Sequence, residues 1–176
     1  MPVYWRAYGP TNFLWFSDLA LLLTLPALWF ESSLLASMMA LSVLLFDLAW
    51  NVDFFTRLLT GVQLTPLSRY MFKPEIPLFV RTLSLFHVVL PPLLVWLVRR
   101  LGYDRRALYA QTLLAWLVLI VTRLSTNPAR NINWVFTYGD TPQTLLPTPL
   151  YFALLLLAFP LCLYLPTHLA LKKMFG

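Results

Sequence analysis

The stretch Phe46–Leu59, FDLAWNVDFFTRLL, decides how this sequence is interpreted, because it sets polar side chains in a run whose apolar pattern predicts a membrane helix. The polar members are Asp47, Asn51, Asp53 and Arg57. An acidic side chain near the centre of a membrane helix costs about 2.5–3.5 kcal/mol on insertion scales, whereas one Leu or Phe returns only about 0.3–0.6 kcal/mol. An ionisable group in such a segment therefore marks a candidate functional site and needs a partner.

The composition of the whole chain is typical of an integral membrane protein. Of its 176 residues, 60% are apolar and 11% are charged, which predicts one compact domain rather than a separate soluble one. The net charge of +6 comes from Lys and Arg placed largely in loops between apolar runs, so it argues for orientation in a bilayer and against nucleic-acid binding. The single cysteine, Cys162, excludes an intramolecular disulfide and a CxxC motif, and we expect no cofactor.

Five apolar runs predict an all-α fold, a polytopic transmembrane bundle of about five spanning helices. A helix rises about 1.5 Å per residue, so about 20 apolar residues cross a hydrocarbon core of about 30 Å. The predicted spans are residues 12–30, 34–59, 78–98, 108–124 and 149–171.

Loop charge predicts the orientation of this bundle. One side of the bundle has only short connecting segments, around Glu31, 99–106 and 172–173, and these contain six cations. The other side has the long loops, in which the cations are spread out among aromatic residues. Positive charge in short juxtamembrane segments favours the cytoplasm. We therefore expect a multi-pass protein of the bacterial inner (cytoplasmic) membrane, with the N-terminus outside and the C-terminus in the cytoplasm.

Threading the spans through the bilayer brings the polar residues of different helices into the same, outer half of the bundle. This prediction depends only on the alternation of the helices, and it indicates a polar pocket that opens toward the long loops. Charges inside a membrane bundle compensate one another when they face its interior. The alternative is a set of charge pairs that fix helix packing, for example Asp53 with Arg57 or Arg81. The residues concerned are Asp18, Asp47, Asn51, Asp53, Arg81, Ser84, His87 and Arg123.

His87 is the candidate general base of this pocket, with Asp47 or Asp18 as the carboxylate that orients it. We expect Asn51, Asp53, Arg81, Ser84 and Arg123 to contribute to substrate binding. A zinc site built on one histidine and two carboxylates would lack a second nitrogen or a thiolate ligand, so no metal is predicted. The hydroxyls of Ser84 and Ser17 lie near the candidate base and acid, but neither has a nucleophile motif, and both are typical of helix packing.

The positions of His168, Cys162 and segment 130–138 along the predicted spans and loops indicate a role for each. His168 lies in the opposite half of the membrane from His87 and is predicted to be an interfacial anchor, and Cys162 is predicted to be core. The segment 130–138, RNINWVFTY, is too polar to span a membrane and too aromatic for a loose linker. It is expected either to fold back as a lid, with Asn131 and Asn133 capping helix ends or contacting a ligand, or to lie on the head groups.

The order of FLWFSDLAL, SLFH, NINWVF and LLPTPLYF along the chain resembles small bacterial YwaF-type integral membrane proteins, whose vertebrate relatives include a membrane ether-lipid acyltransferase. The resemblance covers residues 13–160 in pattern. It implies that Asp18 and His87 match the helix-borne acid and histidine of that family, and Asn133 its asparagine after a helix. The first helix of the family and the cysteine nucleophile of the acyltransferase have no counterpart here. The chain is also similar to other bacterial membrane-associated proteins of this size, a likeness that implies no function.

Two functions of different classes remain open from the sequence. The first is a protein that binds or processes a lipid or another amphiphile in the polar pocket, as a hydrolase or acyltransferase if it is an enzyme. The second is a non-catalytic structural or assembly subunit that binds other membrane protein subunits through its Leu-rich faces. A small transporter is disfavoured because the inner half of the bundle is predicted to be nearly apolar, and a pathway needs polar groups across the full depth.

Overall fold

The computed structural model describes residues 2–139 and 144–176, and every regular element in this part of the chain is helical. The α-helices, numbered in chain order, are α1 Pro2–Tyr8, α2 Phe16–Trp29, α3 Ser33–Thr60, α4 Leu78–Leu83, α5 Phe86–Leu101, α6 Ala107–Ser125, α7 Thr148–Ala158 and α8 Leu165–Phe175. Three 3-10 turns, Pro10–Leu14, Arg69–Phe72 and Ile132–Trp134, and a π-helical turn, Phe159–Tyr164, complete the regular structure.

Four of the helical segments described are long and apolar enough to cross a membrane, which confirms the predicted helical bundle of a membrane protein. They are Ser33–Thr60, Leu78–Leu101, Ala107–Ser125 and Thr148–Phe175. The first predicted span is different, because residues 10–14 form a 3-10 turn and only the 14 residues of α2 are α-helical. At about 1.5 Å per residue α2 is about 21 Å long, shorter than a hydrocarbon core of about 30 Å.

Helix α3 is the centre of the bundle, with α2, α5 and α6 packed around it. Its ends follow from local chemistry: the Ser32 hydroxyl accepts a hydrogen bond from the Leu35 N–H at 3.3 Å, and Gly61, at φ 77°, ends the helix in the left-handed conformation. Small buried residues in its first half, including Ala36 and Ala40, let the neighbouring helices approach closely. The decisive stretch of the sequence is therefore the second half of the central helix.

Two prolines release backbone carbonyls that side chains of other helices then bind. A proline has no N–H, so the carbonyl of the residue four positions earlier loses its helical donor. Pro160 releases the Leu156 carbonyl in this way, and the indole Nε1 of Trp116 donates to it at 2.9 Å, joining α6 to α7. Pro91 does the same for the carbonyl of His87, and this contributes directly to the candidate site.

The α5–α6 turn forms the end of the bundle farthest from the polar cluster. The Tyr103 hydroxyl lies 2.7 Å from His168 Nδ1, which ties the turn to α8 and places His168 away from His87, as predicted. Burial raises the pKa of Tyr103 to about 12, so its hydroxyl stays protonated at neutral pH. Hydrogen bonds from Arg106 lower the pKa of Asp104, whose backbone N–H donates to Ser37 Oγ at 2.9 Å.

Three residues in the apolar half depart from the sequence-based interpretation. Gln111 and Tyr164 are fully buried between the helices, so this half has polar side chains in its core. Cys162, predicted to be core, is exposed in the π-helical turn Phe159–Tyr164, whereas Tyr164 of the same turn is buried.

Candidate functional site

Asp47 and His87 form a buried hydrogen-bonded pair between α3 and α5. Asp47 Oδ1 lies 2.8 Å from His87 Nδ1, and the two residues are 0% and 7% exposed. The imidazole is stacked between Trp50 and Phe86, with ring centroids at 4.7 and 4.3 Å. Because Asp47 engages Nδ1, the other ring nitrogen, Nε2, is the one left for a further partner. Of the two carboxylates proposed from the sequence, Asp47 is the one bonded to His87.

Asn51 fixes the backbone around this pair. Its Nδ2 donates to the Asp47 carbonyl, one turn earlier on α3, and to the His87 carbonyl that Pro91 releases, both at 2.7 Å. One side chain thus bridges α3 and α5 at the level of the Asp47–His87 pair. Asn51 is not among the described residues that line the cavity beside the pair, so its position is that of a brace rather than a ligand contact.

A cavity of about 420 Å³ lies beside the pair, within the size range of small-molecule sites. His87 and Ser84 line it from α5 and the α4–α5 break, and Ser17 and Asp18 line it from the first turn of α2. Aromatic and aliphatic side chains cover much of the remaining wall. These are Tyr8, Trp15, Phe46, Trp50, Pro66, Leu67, Tyr70, Ile76, Phe86, Ile132 and Trp134.

Two buried polar atoms of lining residues have no hydrogen-bond partner in the part of the chain described. Asp18 is 4% exposed; its Oδ2 accepts from Asn12 Nδ2 at 3.0 Å, whereas its Oδ1 is unpaired. The indole Nε1 of Trp50, a residue 2% exposed, is unpaired as well. Buried polar groups normally have partners, so an unpaired acceptor and an unpaired donor beside one cavity indicate a site that a bound molecule completes.

Asp53 is directed away from the cavity and organises the loop after α3. Its carboxylate is fully buried and accepts from Gln63 Nε2, from the backbone N–H groups of Leu64, Thr65 and Ser68, and from Ser68 Oγ, at 2.6–3.1 Å. The carboxylate therefore binds loop donors in place of the arginine pairing considered from the sequence. Arg57, its predicted companion, donates to Gln63 Oε1 and lies over the Phe72 ring.

The two arginines predicted to bind substrate also hold loops. Arg81 Nη1 donates to the Met71 carbonyl at 2.7 Å and so fixes the 3-10 turn Arg69–Phe72. Arg123 Nη1 donates to the Val135 carbonyl at 3.0 Å, and its guanidinium lies 4.4 Å from the centroid of Phe136. Neither arginine belongs to the described cavity lining. Both instead position the segments that cover the cavity.

The segment 130–138 folds back onto the bundle, as one of the two interpretations expects. Asn133 Oδ1 accepts from the Phe16 N–H at 3.2 Å and its Nδ2 donates to the Leu14 carbonyl at 2.7 Å, so this side chain caps the start of α2 from a distant loop. Asn131 Oδ1 accepts from the N–H groups of Phe136 and Thr137, which closes the segment on itself. Asn131, Asn133 and Trp134 have φ values of 40°, 51° and 56°, a left-handed conformation that asparagine adopts more readily than most residues and that is costly for Trp134.

Sequence reasoning missed three cations and one indole of this site. Arg69, Lys73 and Arg130 line the cavity, yet they lie in loops, where helical periodicity carries no information about direction. Trp50 was not among the candidate residues, although its spacing of three residues from Asp47 on α3 places both on one helix face.

The described residues do not assemble a metal site: no three His, Cys, Asp or Glu side chains among them lie close enough to hold one ion. Comparison of the chain with protein-family models, with curated proteins and with solved structures finds no match. The case for function therefore depends on the chemistry of the cavity.

Proposed function

We propose that this chain is an integral membrane protein that binds a membrane lipid or a similar amphiphile in the cavity and catalyses hydrolysis or acyl transfer there. The observation that carries the proposal is the Asp47–His87 pair, 2.8 Å apart, on the wall of a cavity lined by both polar and aromatic side chains. An aspartate bonded to one imidazole nitrogen orients the ring and stabilises its protonated form, which is the arrangement of a general base.

In the proposed reaction, His87 Nε2 takes the proton of a water or of an acceptor hydroxyl as its oxygen attacks the carbonyl carbon of an ester. Asp47 stabilises the imidazolium that forms. When the carbon–oxygen bond of the ester breaks, His87 returns the proton to the departing alkoxide. The proposed donor to the carbonyl oxygen, as negative charge develops on it, is Trp50 Nε1, which is buried and has no partner among the described residues.

The resemblance to YwaF-type proteins is part of this proposal, with Asp18 and His87 in the cavity and Asn133 capping α2. Membrane lipids are the proposed partners. To test the proposal, the purified protein in detergent is incubated with a bilayer lipid mixture, and free fatty acids, lysolipids and acyl-exchanged lipids are measured by mass spectrometry. We expect one of these products to accumulate with the amount of protein. A lipid mixture that stays unchanged would contradict the catalytic part.

We also propose that the cavity opens on the outer side of the bacterial inner membrane, with the C-terminus in the cytoplasm. In a Cys162→Ser background, Glu75→Cys in the loop beside the cavity is expected to react with a membrane-impermeant maleimide in intact cells. Lys173→Cys is expected to react only after the cells are opened. The reverse pattern would overturn the orientation and leave the pocket unaffected.

A further inference from the structure

We infer that the ligand of this cavity is a phosphate ester that also carries a hydroxyl or amine: Lys73 and Arg130 bind the phosphate at the mouth, and Asp18 binds the donor at the floor. The inference depends on the proposed binding pocket but not on catalysis. It deepens the proposed function by naming two chemical groups that the bound molecule must have.

Charge is the first argument. The described lining contains the cations Arg69, Lys73 and Arg130 and one carboxylate, that of Asp18. The cations are exposed, whereas Asp18 is buried, so positive charge lies at the mouth and negative charge at the floor. A molecule that fits this lining has an anion at one end and a hydrogen-bond donor at the other.

The position of Arg130 is the second argument. Its Nη1 donates to the Tyr8 carbonyl at 2.6 Å and to Thr11 Oγ1 at 2.7 Å, so the side chain is held against the N-terminal segment by neutral oxygens. A guanidinium has five N–H donors, and those on its other nitrogens remain for an oxyanion. A fixed arginine loses little side-chain entropy when it binds a phosphate.

The loop that contains Lys73 is fixed as well. Asp53 binds four residues of segment 63–68, and Arg81 holds Met71, two residues before Lys73. Two residues that the sequence predicted as substrate contacts are therefore positioning residues for the cationic mouth. This explains why charged side chains of α3 and α4 bind groups of the loops.

The floor supplies the third argument. Asp18 Oδ1 is buried, lines the cavity and lacks a partner among the described residues. An ionised carboxylate accepts hydrogen bonds and donates none, so the phosphodiester of a lipid head group, which has no O–H at neutral pH, cannot satisfy it, whereas a hydroxyl or a protonated amine can. The head groups of many membrane phospholipids have this combination, and so do soluble phosphate esters such as glycerol phosphate.

The test measures binding rather than turnover. Binding of phosphatidylglycerol, phosphatidic acid, diacylglycerol and glycerol phosphate to the detergent-purified protein is compared by native mass spectrometry. We expect phosphatidylglycerol to bind more tightly than phosphatidic acid and far more tightly than diacylglycerol. Tight binding of glycerol phosphate alone would identify a soluble ester as the source of the phosphate, and its absence would identify a lipid.

Variants assign the two ends of the ligand. Lys73→Gln and Arg130→Gln are each expected to weaken the binding of phosphatidylglycerol about 10- to 100-fold, the usual cost of losing a charge-assisted hydrogen bond. Neither variant should change the binding of diacylglycerol. Asp18→Asn should remove the preference for phosphatidylglycerol over phosphatidic acid. Arg100→Gln, an exposed cation at the opposite end of the bundle, is the matched control.

Unchanged phosphatidylglycerol binding in both mouth variants would overturn the inference, as would equal binding of diacylglycerol by the wild-type protein. The mouth residues are exposed, so their variants are expected to unfold at the wild-type temperature, and this is measured for each. Binding that follows the expected pattern without any turnover would reject only the catalytic part of the proposed function.

Discussion

Replacing Asp53 with Ala is expected to lower the free energy of unfolding by about 3–5 kcal/mol, because it breaks a buried network of charge-assisted hydrogen bonds. The carboxylate accepts three backbone N–H groups and two side-chain donors of segment 63–68, and Ala offers no acceptor to any of them. Thermal unfolding in detergent, calibrated against denaturant unfolding, measures the change.

Two controls separate loop anchoring from a general effect of charge. Asp53→Asn keeps one acceptor oxygen and should be destabilised by less than Asp53→Ala. Glu75→Ala removes an exposed acid of the same loop and should change the free energy of unfolding by less than about 0.5 kcal/mol, as surface substitutions usually do. If Asp53→Ala changes the free energy of unfolding as little as Glu75→Ala does, the Asp53 carboxylate does not anchor the loop.

Replacing His87 with Asn is expected to lower lipid turnover by about 10²- to 10⁴-fold, the usual contribution of a general base. The Asn amide can still donate to Asp47 from a position close to that of Nδ1, but it cannot accept a proton from the nucleophile. Asp47→Asn should also be severely impaired, since it removes the charge that stabilises the imidazolium. Both variants are assayed with the lipid mixture and product analysis described above.

The matched control is His168→Asn, because His168 is the second histidine of the chain and lies at the opposite end of the bundle, bonded to Tyr103. It should keep wild-type turnover. Equal activity of the His87 and His168 variants, with equal stability, would rule out His87 as the base.

The main helices were predictable because their signals are local. The ends of α3 follow from Ser32 and Gly61, and the alternation of helices was enough to predict that His87 and Asp47 share one half of the bundle. The choice between Asp47 and Asp18 as the partner of His87 was not predictable, because it depends on how closely α5 packs against α3 and α2. The release of the His87 carbonyl by Pro91 was present in the sequence as a spacing of four residues, but its partner, Asn51, required the packed structure.

The loops account for most of what the sequence could not predict. Asp53, Arg81 and Arg123 were predicted as substrate contacts, yet their side chains bind loop groups, since helical periodicity defines a face only relative to other helices. The cationic residues Lys73 and Arg130 come together through contacts between segments far apart in the chain. Such contacts depend on the fold as a whole, and neither composition nor spacing signals them.

The central claim, that the cavity beside Asp47 and His87 holds an amphiphile, is tested most directly by photocrosslinking from its wall. Phe46 lines the cavity, and its ring lies 5.6 Å from that of Trp134, so a photoreactive phenylalanine analogue at this position samples the interior. The same analogue in place of Leu154, which is 46% exposed on α7, samples only what surrounds the bundle. After irradiation in membranes, intact-mass spectrometry should find one discrete adduct at Phe46 and a mixture of bulk lipids at Leu154. No adduct at Phe46, or the same mixture at both positions, would contradict the account.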